Sequence, residues 1–379
     1  MYKEYVGNLH IHSKYSDGTA TVEEIAAAAR RAGLDFIGIN DHFNLKGLHE
    51  GKEGWHDGVA VLIGCELNEK YNHFLAYDIA QEIPSDTANP QNVIDATRRQ
   101  GGIGFIAHPF EKGSPLHDGG HAFIWNRWDV YGYTGISIWN FSSVWKGNAR
   151  SLLSGLYYYY NIRAANLDPL DETLAKWDEL SGTRKVTAIG GSDNHGLTIK
   201  AFLGLVRGRV FDYEYAFRAV NTHVLLRDEM PADFNAAKRA IYDALKAGCC
   251  FVACGLFADP RGFRFEAETR SGTTAMGEQV FLEDLPNLVV NTPSRGLIRF
   301  IHNGQVIMSK TGKQASLRIG QPGPYRAEVR LPRAFGRTRA WILSNPIYAV
   351  RRSVAVLNEE TGMTASSTMP LTATPARRA

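Results

Sequence analysis

Short apolar runs in the first 200 residues end, one after another, in side chains that bind metal ions. Val6–Ile11 contains His10 and leads into His12, with Asp17 on the following loop, where Gly18 permits a tight turn. Phe36–Ile39 leads into Asp41 and His42, Val59–Ile63 into Cys65 and Glu66, and Ile103–Ala107 into His108. The run Phe74–Ile79 begins directly after His73, and Val186–Ile189 leads into Ser192, Asp193, Asn194 and His195. Neutral imidazoles suit borderline transition metals, and a carboxylate such as Glu66 can bridge two cations, which a histidine cannot. His10 and His12 are two apart, so on a strand both point to one face; Asp193 and His195 share that spacing. A lone His or Asp at a strand end is more often a hydrogen-bonded structural group. Nine such residues, all at strand ends or the adjoining loops, point to a multinuclear metal site.

The elements that must position them are βα units. Strand-like runs alternate with helical patterns at Thr21–Ala32, where Thr21 and Glu24 have capping-box spacing and Gly33 is the stop, and at Asn92–Gln100. In a β/α barrel the ends that carry these residues form the active-site face. A further strand is expected at Ile136–Trp139, and a helix within Pro231–Gly248. From about Asp259 the runs become short, alternating and divided by Gly, Pro and Asn, the pattern of an antiparallel β-sandwich. The expected organisation is a metallohydrolase unit over 1–258, a β-sandwich over 259–352 and a disordered tail over 353–379.

A chain of 379 residues, 44% hydrophobic, can bury more than one core and needs no metal merely to fold. Its net charge of +3 is too small to make nucleic acid or an anionic membrane the main partner. Cys65, Cys249, Cys250 and Cys254 lack CxxC spacing and read as reduced thiols. With no apolar leader at the start and no run of about 18 apolar residues, a soluble cytoplasmic protein is expected. A homo-oligomer is compatible with all of this.

The stretch HIHSKYSDGTATVEEIAAAARRAGLDFIGINDH, with CELN, NHFLAY, AHP and GGSDNH further on, strongly resembles the PHP-domain (polymerase and histidinol phosphatase) metallohydrolases over roughly residues 5–200. The β-rich end, through LSNPIY, resembles the branch of carbaryl-type hydrolases (CehA/McbA-like). The resemblance implies an α/β fold, a distorted seven-stranded β/α barrel, holding two or three divalent cations (Zn, Mn or Fe). Carried over, His10, His12, Glu66 and Asp193 hold one metal; Glu66 bridges to a second completed by His73 and His108. Asp17, His42 and His195 hold a third. His56 is the substitute for His73, and Asp41 is expected to orient an imidazole.

The implied chemistry is hydrolysis of a small-molecule phosphate ester by hydroxide bridging the metals, with Glu66 and Asp193 holding them and His195 or its metal helping the leaving group. There is no GxSxG elbow, Walker loop or GxGxxG after a strand to support other chemistry. Lys14, Arg163 and Lys200 are candidate phosphate partners, and Asn140 a candidate substrate contact, each against an ordinary surface or turn role. An alternative substrate is a carbamate or carboxylic ester, if Trp125, Trp128, Tyr131, Tyr133 and Tyr157–Tyr160 line an aromatic entrance rather than pack helices. A non-catalytic metal-stabilised module would show damaged ligand positions, and none is seen.

Overall fold

A computed structural model describes residues 2–116, 118–196, 198–201, 206–209 and 212–352; the expected disordered tail lies outside them. The first half supplies strands β1 (Lys3–Leu9), β2 (Phe36–His42), β3 (Gly54–His56), β4 (Val59–Leu67), β5 (Phe74–Tyr77), β6 (Ile103–Ile106), β7 (Gly135–Asn140) and β8 (Thr187–Gly191). β9 (Thr198–Ala201) and β10 (Val206–Arg209) form a separate two-stranded ribbon. β11 (Val220–Leu226) and β12 (Cys250–Cys254) lead to β13 (Arg264–Thr269), β14 (Gly272–Ala275), β15 (Gln279–Phe281), β16 (Asn287–His302), β17 (Gln305–Arg318), β18 (Gly323–Pro332), β19 (Thr338–Ser344) and β20 (Ile347–Val350). The result is a mixed α/β fold in which 18 strands share one hydrogen-bonded sheet.

Local sequence explains the helices that space the early strands. α1 (Val22–Ala32) starts at a complete Thr21/Glu24 capping box and stops at Gly33, which takes the left-handed conformation at φ 77°. Its Val22, Ile25, Ala26 and Ala29 recur at helical spacing and are buried against the strands. α2 (Lys46–His49) is a single turn, and α3 (Pro90–Arg99) begins with proline at its first position, where no amide hydrogen is needed. α4 (Phe141–Asn148), α5 (Leu152–Tyr160) and α6 (Asp171–Ser181) fill the connection from β7 to β8, and α7 (Tyr213–Phe217) and α8 (Phe234–Ala247) follow.

β1, β2 and β4 pair in parallel, as do β6, β7 and β8. β5 departs from the expected run of parallel strands, because it is antiparallel to both β4 and β6. The departure keeps His73 with the other candidates: an antiparallel strand begins at the end where its neighbours finish. After β8 the chain returns to the end of β1. Ile11 and Asn194 form a parallel bridge, Asp193 N–H donates to His10 C=O (2.8 Å) and His12 N–H to Asn194 C=O (3.0 Å). Gly191 permits this approach, since a Cβ there would lie 1.7 Å from the Leu9 carbonyl oxygen. Asn8 stitches the same seam: its amide donates to Val220 C=O and the Asn221 side chain, and its oxygen accepts from the Ser192 hydroxyl at 2.7 Å.

The β-rich end has a core of its own, centred on Phe263, Phe265, Phe300, Val329 and Trp341. Leu288–Asn291 and Leu297–His302, short runs divided by proline and glycine, lie in one strand with a register shift between Asn291 and Gly296. The turn to β17 is Asn303-Gly304, both at positive φ (50° and 77°), as that dipeptide predicts, and His302 stacks on Tyr325 beside it. β12, which cysteine counting alone left unassigned, joins the two halves. Its alternation sends Val252 and Cys254 into the first core and Phe251 and Ala253 into the second. β11 pairs with one edge of β12 and β19 with the other. All four cysteines are buried and unbridged. No helix among the described residues is long and apolar enough to cross a membrane.

Candidate metal centre

The strand ends converge on one pocket of about 230 Å³, lined among others by Asp17, His42, Glu66, His73, His108, Asp193 and His195. Glu66, at the end of β4, is buried at its floor. One carboxylate oxygen faces His10 Nε2 (2.8 Å), His12 Nε2 (3.1 Å) and His42 Nδ1 (3.6 Å). The other faces His73 Nδ1 (2.7 Å) and His108 Nε2 (3.4 Å). Asp193 Oδ1 lies 3.3 Å from both His10 Nε2 and His12 Nε2. Asp17 Oδ2 reaches His195 Nε2 at 3.3 Å and His42 Nε2 at 3.7 Å.

Three of these residues hold backbone conformations that side chains other than glycine rarely adopt: His10 (φ 97°), Asp193 (φ 51°) and His108 (φ 24°). The expected strand alternation of His10 and His12 is therefore not what aims them. β1 ends at Leu9, and the pair converges (ring centroids 5.1 Å apart) because the seam with the chain after β8 imposes a turn at His10. Such strain, of order 1–3 kcal/mol per residue, persists only where surrounding structure over-determines it.

Outer partners fix ring orientation. His108 Nδ1 donates to Phe123 C=O (3.0 Å), which leaves Nε2 for the pocket. His195 Nδ1 lies 3.1 Å from Asp193 C=O, and His73 Nε2 lies 2.9 Å from Glu69 C=O. Asn140 caps α4 through Ser143 N–H and sends its amide to Asp193 Oδ2 at 3.2 Å, so its side chain is engaged with the cluster. Asp41 does not orient an imidazole; it accepts from Ser13 N–H, Ser13 Oγ and Ser16 Oγ and so shapes the loop that presents Asp17.

The donor set fits cations. Donor atoms lie within 4.8 Å of one another in His12–Asp17–His42–His195, in His10–His12–Glu66–Asp193 and in Glu66–His73–His108. His10 Nδ1, both nitrogens of His12 and His42 Nδ1 are buried without a hydrogen-bond partner, a cost that ligand or proton binding would relieve. His12 thus faces two groups, whereas the family pattern gave it one.

In the metal-free protein the cluster is held together by charge. Burial alone would raise Glu66, but the neighbouring imidazoles, with hydrogen bonds from His10 and His108, keep it well below the usual carboxylate range. Burial would likewise lower His12 and His108, yet Asp193 and Glu66 raise His12 to about 10, and Glu66 and Glu111 raise His108 to about 9. His42 behaves oppositely and burial takes it down to about 4. At neutral pH His12 and His108 thus carry protons that a cation must displace. Metal affinity is expected to rise with pH through neutrality, with about two protons released on loading. Calorimetry in buffers of different ionisation enthalpy measures that number, and no proton release would contradict the arrangement.

Lys14 and His56 lie elsewhere. Lys14 is exposed, pairs with Glu24 at 3.7 Å and lines a separate depression with Thr19 and Arg31. Arg163 sits in a short 3-10 turn at Ile162–Ala164 and Lys200 in β9, their side chains outside the described residues. His56 bonds to Lys52 C=O, away from the cluster. Among the described residues, the aromatics expected to line an entrance do not do so: Trp125 is buried against Phe74, Trp128 stacks on Phe110, Arg184 covers Tyr133, and the exposed Tyr157 and Tyr160 are absent from the pocket lining. Tyr131 is exposed and absent from the pocket lining. The pocket wall instead carries Phe43, Glu69, Glu111, Phe123 and Lys146, none of them anticipated. Glu111, three residues after His108, was the one with a readable signal.

Residues 8–113 match the PHP domain family. The chain contains a PHP domain. That match ends before Asp193 and His195, which the fold delivers to the PHP domain from β8. An uncharacterized protein of Methanocaldococcus jannaschii is 28% identical over 115 residues, 27% of this chain and 67% of its own length. The DNA polymerase III subunit alpha of Treponema pallidum is 36% identical over 63 residues, 16% of this chain and 5% of its own. The chain therefore spans only a small part of the polymerase subunit. A two-domain Bacteroides vulgatus protein, described as containing a predicted PHP-like metal-dependent phosphoesterase, superposes with a TM-score of 0.47 at 15% identity. That superposition covers 91% of this chain and 96% of the other.

Proposed function

We propose that this protein is a metal-dependent phosphoesterase holding two or three divalent cations in the PHP domain, whose seven strands β1, β2 and β4–β8 make a distorted barrel. The observation that carries the reading is the division of Glu66: one oxygen toward His10 and His12, the other toward His73 and His108. Asp193 would complete the first set, and Asp17, His42 and His195 would hold a further cation. When bound, the cations supply an acidified water and neutralise charge on a phosphoryl oxygen. The chain supplies the rest. Glu66 and Asp193 fix the spacing, and the Phe123 and Asp193 carbonyls set the tautomers of His108 and His195, so that Nε2 of each ring is left facing the pocket as a ligand nitrogen, that of His195 on a side chain 19% exposed. The residues 1–258 and 259–352 are read as two packing units, the second bracing the first through β12.

The test pairs elemental analysis with rates on aryl phosphate mono- and diesters and aryl carbamates. Two to three divalent cations per chain, and phosphate turnover lost to a chelator and restored by metal, are expected. Bound metal with carbamate turnover alone would overturn the substrate class, and failure to take up metal would overturn the whole reading.

A further inference from the structure

Part of the wall of the metal pocket is built by a group that no family pattern supplied. Lys146 is the single lysine or arginine among the described lining residues, and the rest of the charge there is carboxylate or imidazole. Its side chain is 15% exposed and comes from α4, the helix whose cap, Asn140, reaches Asp193. Ser143 and Lys146 are three apart and so share a helix face. Glu111 is buried against that face: one oxygen accepts from Ser143 Oγ at 2.7 Å, the other lies 3.4 Å from Lys146 Nζ, and His108 Nδ1 is 3.8 Å away. The Phe123 ring flanks the ammonium at 5.8 Å. A carboxylate and an aromatic ring thus hold the ammonium at the pocket instead of leaving it to solvent.

We infer that Lys146 is the substrate-selecting cation of this pocket, positioned by Glu111 and Ser143, and that it selects phosphate monoesters over diesters. This rests on the phosphoesterase reading above. A monoester loses its second proton at a pKa of about 6 and is a dianion above that, while a diester carries one charge. Bound cations would themselves favour the dianion, and an ammonium adds to that preference, because the monoester has a terminal anionic oxygen to spare for it. The pocket, about 230 Å³, is below the roughly 300–1,000 Å³ of sites that enclose a drug-sized ligand, so it takes a head group and leaves the ester's remainder outside.

The experiment uses the full metal-loaded chain at pH about 8, where inorganic phosphate is mainly dianionic. Binding of inorganic phosphate and of dimethyl phosphate, a monoanion, is measured by calorimetry in the wild type, Lys146→Met and Lys146→Arg. The wild type is expected to prefer inorganic phosphate. Lys146→Met should weaken it about 10- to 100-fold, the range of one charge-assisted hydrogen bond, while dimethyl phosphate changes less than about 3-fold. Lys146→Arg should recover most of the preference, and metal content should stay unchanged in both variants. A wild type with no preference, or a Lys146→Met variant that weakens both anions alike or neither, overturns the inference. Because binding is read without turnover, a protein inert toward phosphate esters but with this Lys146-dependent preference would sink the phosphoesterase reading and leave the selecting role of Lys146 standing.

Discussion

Replacing Glu66 with glutamine is expected to lower phosphate-ester turnover by about 10³-fold or more, some 4 kcal/mol of transition-state stabilisation, and to reduce metal content. Glutamine keeps the size of the side chain and loses the charge, so the change isolates electrostatics from packing. The wild-type carboxylate is 1% exposed and touches five imidazoles through two oxygens. An amide offers one acceptor where two are used, and its NH₂ would point at a ring nitrogen that is needed as a ligand. A second effect follows in chelator-treated protein. The rings of His12 and His108, raised to about 10 and about 9 partly by Glu66, would face a neutral group, and a buried charge left without its partner costs roughly 3–5 kcal/mol. Denaturant melts of the metal-free wild type and variant measure this. A variant with full metal content and activity would remove Glu66 from the bridge.

Asn345→Ala is expected to destabilise the protein by about 3 kcal/mol although it lies far along the chain from every candidate ligand. Asn345 is 1% exposed, follows β19 and serves the edge of β8: its oxygen accepts from Ala188 N–H at 2.7 Å, and its amide donates to Ala188 C=O and Cys250 C=O. β8 is paired with β7 on one side, so this side chain stands in for a strand on the other. Alanine would leave the Ala188 N–H without its acceptor and take the amide donor from the Ala188 and Cys250 carbonyls, which keep only the longer contacts from the Cys250 thiol (3.7 Å) and the Asn345 N–H (3.4 Å); a buried group left unmet costs about 1–3 kcal/mol before relaxation. Because Asp193 and His195 follow directly on β8, metal affinity should fall with stability. Urea titrations with and without metal check both effects. A loss confined to metal affinity, with unchanged stability in the metal-free state, would contradict the bracing role.

Much of the candidate site was legible because each residue type reports directly on chemistry: imidazoles and carboxylates at the ends of apolar runs need no tertiary information to be noticed. The capping box at Thr21 and the turn at Asn303-Gly304 were legible for a similar reason, since both are satisfied by neighbours a few residues away. The residues misread were those whose role depends on partners distant in sequence. Asp41 met serines of the β1 loop, not an imidazole. Trp125 and Tyr133 had the composition of an entrance and became core, since burial of a large ring is decided by what the fold places over it.

The sequence by itself determined the inventory of donors, the short-range caps and turns, and the change to alternating strands after Asp259. These depend on side-chain type and on periods of 2 and 3.6 residues, which are local properties. Only the tertiary structure decided that His10 would turn at φ 97°, that β5 would run antiparallel and still deliver His73, and that Glu111 and Lys146 would face the metal pocket. Each of those depends on a contact across dozens of residues, between β1 and the chain after β8, between β4 and β5, or between α4 and the loop after His108. Sequence spacing carries no record of which distant backbone will pair with which; packing and hydrogen-bond satisfaction across the whole sheet fix that choice.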